Sequence, residues 1–579
     1  GSIFFLISPI FIYRLNWHAA VSGQWILLLI LYLGLTYKVD KIKLPWILLI
    51  IFSPLVNYWF IVFALSTYSL LRIFNLKFEK ENIFNFIKDF SIIGILLSLV
   101  LYILGYFEVR PVDTLGVGFG YYKLNLLSIF DPINSADNIS WSWFLPDIKL
   151  TKGEEWEGFN YFGLGQIILV LFAFLLFFKK NYKTSLQSVK NNKEVRIFFL
   201  ISLFFTFWAL SNKISLGSYT LLEIPLNKYI FAVLSVAKNA GRFFWIVNYF
   251  ILLLSLIIIF KCFNKKNSLL IITLFLIIQL SDTSAGIKQR INFFTPPHKS
   301  CLKDHIWNDL FKKYSIVKTT YPISWSKFFG CFSYAIESNN VKKTNVVVLG
   351  RMNRKAAAES RYALYKSFRT KNLASDTVYL IDPTHLIHLK HLFQNENVGF
   401  FYRDNFWAMI VNEKAIMNDN DKLRFNETSF KLLDFDKKTD FNFTTESSYY
   451  GFGWSHNLHN PDTSGGIWSE GPISTLLFRT KNNYRDSKLE ILCKPYITKK
   501  NDTVEFDIFV NDSFNKSIKL TSKNYDQKIE ILIEKKLVKN NEIKVDFNFK
   551  NPISPYEVFE SPDSRKLGIL IKSIKISPM

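Results

Sequence analysis

Long apolar runs occupy the first half of the chain and are rare after Asp282. A soluble enzyme would interleave apolar and polar residues throughout, so this asymmetry predicts a membrane-embedded half followed by a half in water. Because backbone groups cannot stay unpaired in lipid, each run is predicted to be helical. The apolar runs are Trp25–Tyr37, Leu44–Leu71, Ile92–Phe107, Phe162–Phe178, Ile197–Ser211, Phe243–Phe260 and Leu269–Leu280.

The charges of the loops between these runs predict an orientation. The loop 179–196 is strongly basic, as is the turn around Lys265, and both are predicted to face the cytoplasm. The long loop 108–163 carries more acidic than basic residues and is predicted to be external. These assignments alternate along the chain and place everything after Leu280 outside the cytoplasm.

The run Leu44–Leu71 allows two interpretations. It is either one tilted helix or a hairpin that turns near Pro54–Asn57. We favour the hairpin, because it keeps Lys38, Lys41 and Lys43 on the cytoplasmic side of the membrane.

The second half contains two successive patterns. Residues 282–435 alternate strand-like and helical segments, which predicts a small α/β domain. Residues 436–579 form short strands separated by turn residues, which predicts a β-sandwich. With a transmembrane helical domain at 1–281, three domains are predicted. The predicted elements are strand Asn345–Gly350, helix Ala356–Phe368, strand Thr377–Ile381, helix Thr384–Phe393 and strand Val398–Val411, then strands Lys488–Cys493, Val504–Val510, Lys528–Ile533, Ile543–Phe549 and Ile569–Ile576.

Composition changes this picture little. A formal net charge of +23 over 579 residues is typical of nucleic-acid-binding proteins. Here the lysines and arginines concentrate in the short loops between apolar runs, so no nucleic-acid partner is predicted. The sequence starts at Gly1 without Met or a basic segment, and we expect it to begin partway through a longer protein.

Cysteine and histidine offer few candidate sites. Cys301 and Cys331 lie in the part predicted to be external, where they form either a disulfide or two buried thiols. His385, His388 and His391 share a predicted helix, which we interpret as a solvated face, although two of them could reach one metal ion. No phosphate-loop, zinc-protease or serine-hydrolase motif occurs. A divalent metal is the one cofactor left open.

Residues at the predicted external membrane edge are the candidate binding residues. Arg242, next to Lys238, lies at the outer end of an apolar run, where a guanidinium either holds a lipid-linked phosphate or anchors the helix at the interface. Arg14 and His18 either face a polar pocket or cap a helix. Tyr122 ends a glycine-rich segment that either presents groups to a sugar or is a plain connection.

The external loop also supplies acids close to tryptophans. Glu154, Glu155, Glu157 and Asp147 follow a Trp-rich stretch at residues 141–143. Aromatic faces beside carboxylates are typical of sugar sites, and a carboxylate is the usual base for a sugar hydroxyl. For each single acid we favour a solvated loop charge.

Two sets of segments carry a resemblance to known proteins. The first set is Ser8-Pro9, Arg14, His18, Gln24-Trp25, Gly118–Tyr122, Leu126–Ser128 and Gly241–Trp245, and the second is Gly451–Ser455, Gly466–Gly471, Pro552–Pro555 and Ser561–Ile569. The first set looks like an uncharacterised group of bacterial multi-pass proteins that resembles the GT-C glycosyltransferases. The second set is similar to a β-sandwich attached to such proteins and to some phosphoglycerol transferases.

This resemblance implies a partial GT-C-like helical domain and sugar transfer at the bacterial cytoplasmic membrane. The donor would be a polyprenyl-phosphate-linked sugar, the acceptor a cell-surface glycan, and the second half periplasmic. GT-C enzymes keep their catalytic acid in the first external loop, which we expect to lie upstream of this sequence, so the catalytic residue is unknown. The substrate-binding candidates are Arg242, Lys238, His18, Arg14 and Tyr122.

Two other functions remain open from the sequence. The chain is alternatively a non-catalytic component that binds glycan or lipid in a surface polysaccharide system. In either case Trp454 and Trp468 of the sandwich are stacking faces for a glycan or, as we favour, core residues. Phosphoglycerol transfer ranks last, because the sequence contains no cluster of Asp and His for a metal-bound site.

Overall fold

The computed structural model divides the chain into two compact units. Unit 1 is Gly1–His298 and unit 2 is Lys299–Met579. The predicted division into 1–281, 282–435 and 436–579 stays a prediction. The structure describes all residues except 18, 37–42, 76–79, 108–118, 135–137, 183, 295–299, 324–325, 340, 350–352, 394–395, 412–424, 441–448, 456–464, 482–484, 522–525 and 559–562.

Unit 1 is mainly helical, and the predicted helical conformation of the apolar runs is confirmed. Two short antiparallel strand pairs, β1–β2 and β3–β4, interrupt the helices. The strands are β1 Ile133–Asn134, β2 Ile139–Ser140, β3 Lys213–Leu216 and β4 Tyr219–Glu223. The helices are α1 Ser2–Leu6, α2 Pro9–Ile12, α3 Arg14–Trp17, α4 Trp25–Thr36, α5 Leu44–Phe52, α6 Tyr58–Asn75, α7 Lys80–Ile103, α8 Lys152–Trp156, α9 Leu164–Phe178, α10 Gln187–Lys190, α11 Lys193–Leu210, α12 Lys228–Leu234, α13 Phe244–Cys262 and α14 Lys265–Phe294.

The run Leu44–Leu71 is broken where the hairpin was predicted. α5 ends at Phe52, a 3-10 turn covers Ser53–Leu55, and α6 begins at Tyr58 and packs on α5. Proline has no backbone N–H and clashes with the preceding turn, so Pro54 ends the first helix. The hairpin interpretation is therefore confirmed over the one of a single tilted helix.

The predicted fold class, a multi-pass α-helical membrane domain of GT-C type before an α/β domain and a sandwich, is wrong. The chain is 47% helix and 23% strand, a mixed α/β protein with β-sandwich-like parts. Within the described residues, three helices are long and apolar enough to cross a membrane: Asn82–Ile103, Ala240–Cys262 and Lys265–Asn292.

The correction has a physical reason in the lengths of the apolar helices. A span needs about 20 residues. Four of the apolar helical segments, among them Leu44–Leu55 and Leu164–Phe178, have only 10–17 residues. α11 has 18 residues, but Lys193, Glu194 and Arg196 lie in its first turn. The apolar runs in the sequence therefore overestimated the number of helices long enough to span a membrane.

The first part of unit 2 is a five-stranded sheet with helices on both faces. Its order is β6-β5-β7-β9-β8, in which β6, β5 and β7 are parallel and the other pairs antiparallel. α15 and α16 pack on one face and α17 and α18 on the other. The elements are α15 Ile306–Lys313, β5 Ile316–Thr319, α16 Phe329–Ser338, β6 Lys343–Thr344, α17 Arg354–Arg369, β7 Thr377–Ile381, α18 Pro383–Phe393, β8 Val398–Arg403 and β9 Phe406–Val411.

The predicted α/β elements differ from the observed ones in two places. The strand expected at Asn345–Gly350 is the two-residue strand Lys343–Thr344. The single strand expected over Val398–Val411 is a hairpin, because Asp404 and Asn405 both adopt positive φ and form a two-residue turn. Of the two alternatives left open for Cys301 and Cys331, the disulfide is the one observed, with the Cα atoms 5.5 Å apart.

The last part of unit 2 consists of two antiparallel sheets that share one apolar core, as the sandwich prediction required. Inward and outward side chains alternate along β13 and β14, as expected for strands with one buried face. β18 lies inside its sheet, with β13 on one side and both β10 and β11 on the other. The strands are β10 Lys438–Asp440, β11 Ile467–Glu470, β12 Ile473–Arg479, β13 Ser487–Pro495, β14 Thr503–Val510, β15 Ser513–Thr521, β16 Gln527–Ile533, β17 Glu542–Phe549 and β18 Leu567–Pro578.

Candidate functional site

Two of the predicted binding residues, Arg14 and Arg242, meet at one buried carboxylate. Arg242 donates from Nε and Nη2 to the two oxygens of Glu157 at 2.8 and 2.9 Å. Arg14 donates from Nη2 to Glu157 Oε2 at 2.9 Å. All three side chains are buried. We call Arg14, Glu157 and Arg242 the arginine centre.

Glycines allow the two loops of this centre to approach each other. Arg242 lies in a 3-10 turn, Ala240–Phe243, that leads into α13. A Cβ on Gly241 would lie 2.5 Å from the Cα of Gly158, so only glycine fits there. Asn160 joins the same loops, because its Nδ2 donates to the carbonyls of Gly158 and Gly241 at 2.9 and 3.1 Å.

Aromatic rings surround the guanidinium groups. The Arg14 guanidinium carbon lies 4.4 Å from the Tyr13 ring centroid and 5.4 Å from that of Trp245. Arg242 lies 5.2 Å from the Trp59 ring centroid. Arg290, on α14, lies 5.0 Å from the Tyr13 ring centroid and is also buried. Three guanidinium groups thus lie among these aromatic rings, and two of them, those of Arg14 and Arg242, bind Glu157.

The other predicted binding residues have different positions. Tyr122 adjoins the centre: its carbonyl accepts a hydrogen bond from Gly241 N at 3.0 Å, and its ring packs edge-on against Trp156 at 5.9 Å. Burial, and then the negative charge of Glu157, raise the pKa of Tyr122. Lys238 is half-buried in the turn before Arg242. His18 and the glycine-rich residues 116–118 lie outside the described residues.

Glu154 and Glu157 of the loop 108–163 are not solvated charges, contrary to our preferred interpretation, whereas Asp147 is exposed as expected. Glu154 is buried and pairs with Lys123, while Asn125 Nδ2 donates to its other oxygen at 3.1 Å. Glu154 also accepts from the Thr151 backbone N–H at 3.1 Å in a capping box that starts α8. Glu157 is buried in the arginine centre. These carboxylates therefore hold the loop together.

The tryptophans of this loop divide between core and surface. Trp141 is fully buried, whereas Trp143 is 66% exposed and donates from Nε1 to Ser284 Oγ of α14 at 2.8 Å. Between them Ser142 donates to Asp282, which also accepts from Tyr161 Oη at 2.5 Å. The loop is thus tied to α14 by polar contacts of Ser142, Trp143 and Tyr161.

Asp131 differs from Glu154 and Glu157, because no cation among the described residues forms an ion pair with it. It is buried and accepts backbone N–H groups of Ile133 and Ile148 at 3.2 and 3.4 Å. Burial outweighs these two bonds and raises the pKa of Asp131 to about 7.

This raised pKa predicts that Asp131 makes stability depend on pH. A carboxyl whose folded pKa exceeds its ordinary value of about 4 stabilises the fold below that value and loses this contribution as pH rises through about 7. Asp131→Asn is therefore expected to reduce the decline of the unfolding temperature between pH 4 and 8. The matched control is the exposed acid Asp147, changed to Asn, which should leave the pH profile unchanged. Identical profiles for both variants and the unmodified protein would refute the assignment.

The histidines of α18 do not form a solvated face, contrary to the prediction. His385 and His388 are each 1% exposed. His388 Nδ1 accepts from Phe452 N at 2.9 Å, and its ring packs against Phe452 with the centroids 4.4 Å apart. Burial lowers the pKa of His388 well below its ordinary value. No group of three or more His, Cys, Asp or Glu within the described residues could hold a metal ion.

The sandwich motifs of the family resemblance meet at a buried ion pair. Arg361 of α17 donates to Glu470 of β11 from Nε at 3.0 Å and from Nη2, and to the Pro322 carbonyl from Nη1 at 3.0 Å. Gly453 has a φ of +89°, and a Cβ there would lie 2.1 Å from the Ile473 carbonyl oxygen. These motif residues therefore join α17 to the sandwich.

The two tryptophans proposed as stacking faces differ in exposure. Trp454 is 2% exposed and donates from Nε1 to the Thr475 carbonyl at 2.7 Å, so it is a core residue. Trp468 is half-buried on β11 and packs edge-on against Tyr496 with the ring centroids 5.7 Å apart.

The sequence analysis did not predict two residues of the arginine centre and its surroundings. Glu157 was judged a surface acid, and Arg290 was not considered. The signal for Glu157 was the helix start at residues 151–156, whose capping box fixes the loop next to it. Arg290 had no local signal, because it lies in the last turns of the long helix α14.

Comparison with known proteins identifies one family over part of the chain. Residues 1–284 match a family described as "Domain of unknown function (DUF6311)". This region contains Arg14, Glu157 and Arg242. No curated protein matches the chain.

Solved structures resemble only a small part of the chain. A CBM36 carbohydrate-binding module in complex with calcium and xylotriose has 9% identity and a TM-score of 0.17, covering 24% of this chain and 99% of its own. A family 35 carbohydrate-binding module from an environmental isolate has 16% identity and a TM-score of 0.15, covering 22% and 91%. A CBM36-1 domain of a xylanase from the hindgut metagenome of Trinervitermes trinervoides has 10% identity and a TM-score of 0.17, covering 25% and 98%. Scores this low establish neither a shared fold nor a shared function.

Proposed function

We propose that this chain handles a lipid-linked glycan at a membrane, as a glycosyltransferase that uses a polyprenyl-phosphate sugar donor. The arginine centre carries this proposal. Its guanidinium groups are buried, and Arg242 gives two of the five N–H donors of a guanidinium to Glu157. Guanidinium groups are well suited to phosphate, whose oxygens accept from such donors. The acceptor would be a cell-surface glycan, and the second unit would lie on the outer side of the bacterial cytoplasmic membrane.

The chemistry of the centre favours an anionic ligand. Arg14, Arg242 and Arg290 bring three guanidinium groups into one buried, aromatic region. Guanidinium groups are well suited to phosphate, because their planar N–H donors match the geometry of phosphate oxygens. A phosphate group supplies negative charge and several acceptor oxygens in one ligand. The rings of Tyr13, Trp59 and Trp245 offer the apolar walls that favour a desolvated guanidinium and a sugar or isoprenoid alike.

Membrane attachment is proposed from the helices that remain uncovered. In the candidate span Asn82–Ile103, only 11% of the most apolar stretch of the helix is buried within the protein. Ile95, Leu99 and Ile103 of this helix are 70%, 54% and 71% exposed. An exposed apolar helix long enough to cross a bilayer is unfavourable in water and favourable in lipid, so this helix is proposed to lie in a membrane.

The positions of the carboxylates favour a second function, a non-catalytic glycan- or lipid-binding component. A general base needs a carboxylate that can accept a proton from the sugar hydroxyl. Glu157 is engaged by two arginines, and Glu154 is engaged by Lys123 and Asn125. This alternative predicts binding of the lipid-linked sugar without transfer.

The test is binding and transfer by the full-length protein in membrane vesicles with a panel of polyprenyl-phosphate sugars. Arg242→Lys keeps the charge but cannot make the two hydrogen bonds of Arg242 to Glu157, so the centre loses its arrangement and we expect at least about tenfold weaker donor binding, equivalent to about 1.4 kcal/mol. The matched control is Arg196→Lys, at an exposed arginine of α11, which should bind as the unmodified protein does. Equal affinities for both variants would overturn the proposal. Tight binding of the donor without sugar transfer would reject the transferase function and support the non-catalytic binding component.

A further inference from the structure

The hairpin β3–β4 carries exposed apolar side chains on its outer strand. Every residue of β4 is exposed, including Tyr219 at 75%, Leu221 at 58% and Leu222 at 50%. Leu216 precedes the turn at 41% exposure, and Ile224 follows the strand at 49%. A strand of a soluble protein normally buries at least one face, so this strand lacks a covering layer.

The hairpin is held rigidly from one side, so its exposure is not that of a loose loop. Lys123 Nζ donates to Ser215 Oγ at 2.7 Å. Asn125 binds both backbone groups of Gly217: its Nδ2 donates to the carbonyl at 2.8 Å, and its Oδ1 accepts from the N–H at 3.0 Å. These bonds fix β3 to the external loop and leave β4 facing away from it.

Contacts place the hairpin at the end of the helices where the arginine centre lies. Trp208, near the end of α11, packs on Phe243 with ring centroids 4.8 Å apart. Phe243 directly follows Arg242 and precedes α13, part of the candidate span Ala240–Cys262. β3 begins three residues after α11 ends. The hairpin therefore lies where that candidate span begins.

We propose that β3–β4 lies in the headgroup region of the outer leaflet and presents Tyr219, Leu221 and Leu222 to lipid. The occupant of the exposed face is a lipid surface, because the apolar surface continues along α11, where Phe199 and Phe207 are 56% and 66% exposed. This inference rests on the proposed membrane attachment and goes beyond the proposed sugar chemistry.

Backbone chemistry sets the depth of the hairpin. Among the residues that the structure describes, β4 pairs only with β3 in a two-stranded sheet, so its outer N–H and C=O groups have no strand partner there. Unpaired strand edges do not occur in the hydrocarbon region, where no water can satisfy them. Side chains of an interfacial element reach about 5–10 Å into the boundary between headgroups and acyl chains. The apolar side chains of β4 thus contact lipid while its backbone stays among headgroups and water.

The experiment is a depth measurement with an environment-sensitive fluorophore, NBD, on single cysteines of the full chain in vesicles of phosphatidylglycerol and phosphatidylethanolamine. The background carries Cys262→Ser. Cys493 stays, because it is buried and burial raises its pKa to about 12, which suppresses its reactivity. Labels are placed at Leu221→Cys in the hairpin and at Ile95→Cys in the exposed span. Labelling without reductant keeps the disulfide Cys301–Cys331 intact.

The matched control is Phe514→Cys, because Phe514 is also an exposed apolar residue of a β-hairpin, at 61% exposure, but belongs to the sandwich. We expect the label at position 221 to shift to shorter emission wavelength and to lose most of its fluorescence to lipids with a nitroxide near the headgroup. The label at 95 should be quenched best by a nitroxide deep in the acyl chain. The label at 514 should emit as in water and resist both quenchers.

Each other outcome overturns the proposal in a distinguishable way. If position 95 is quenched by lipid and position 221 emits as in water, the hairpin is not in the interface, although the membrane attachment stands. If position 221 shifts to shorter wavelength but resists lipid quenchers, a protein surface covers β4 instead of lipid. If position 95 also emits as in water, the membrane attachment itself fails and the hairpin proposal with it.

Discussion

Glu157→Ala is expected to lower the free energy of unfolding of unit 1 by about 3–5 kcal/mol. The change leaves the buried guanidinium groups of Arg14 and Arg242 without the carboxylate that now accepts three hydrogen bonds from them. A charge left uncompensated in the interior keeps its full desolvation cost. Thermal unfolding of the detergent-solubilised protein, followed by tryptophan fluorescence, measures the loss.

The matched control for this change is Glu223→Ala. Glu223 pairs with Lys213 at 2.6 Å, but both side chains are substantially exposed, so its loss should cost less than about 1 kcal/mol. Combining Glu157→Ala with Arg242→Leu removes one of the two stranded charges and should recover part of the stability. Similar unfolding temperatures for Glu157→Ala and Glu223→Ala would mean that the arginine centre contributes little to the fold.

Arg361→Ala is expected to destabilise unit 2 by a similar amount, about 3–5 kcal/mol. Arg361 is buried and holds Glu470 of β11 and the Pro322 carbonyl of the α/β part at the same time. Without it the Glu470 carboxylate, which is 3% exposed, remains buried without its guanidinium partner. Urea unfolding monitored by near-ultraviolet circular dichroism reports the loss through the tyrosines around this pair.

Lys371→Ala is the control for Arg361. Lys371 pairs with Glu396 at 2.6 Å on the surface of the same unit, with both side chains at least 40% exposed. This pair should contribute less than about 1 kcal/mol. If both variants unfold at the same urea concentration, the joint between α17 and the sandwich is maintained by its apolar contacts alone.

The elements that could be predicted from the sequence are those with a strong local pattern. β7 was found because all five of its residues are apolar or β-branched and buried on both faces of the sheet. β13, β14 and β17 were found because apolar residues alternate along them. β15 was missed, since its sequence SFNKSIKLT is mostly polar and much of it is exposed on an edge strand.

The candidate site could be predicted only in part, because its contacts are long-range. Arg14 and Arg242 were each chosen for their place at the predicted external edge of the membrane. Their convergence on Glu157 joins residues 143 and 85 positions apart, and no local pattern reports such contacts. An acid in a polar loop is usually solvated, and because of this general expectation Glu157 was not predicted to be buried in the site. The buried position of the α18 histidines likewise depends on Phe452, 64 positions after His388.

The central position of β18 has a consequence for synthesis. β13 is made some 75 residues earlier and has β16 on one edge, but its other edge stays open until residues 567–578 emerge. Neither β10 nor β11 can join this sheet before then, since both pair with β18. The nascent chain therefore carries an unfinished sheet edge from the synthesis of β13 until β18 emerges at the end of translation, and a chaperone that shields extended segments would act during that interval.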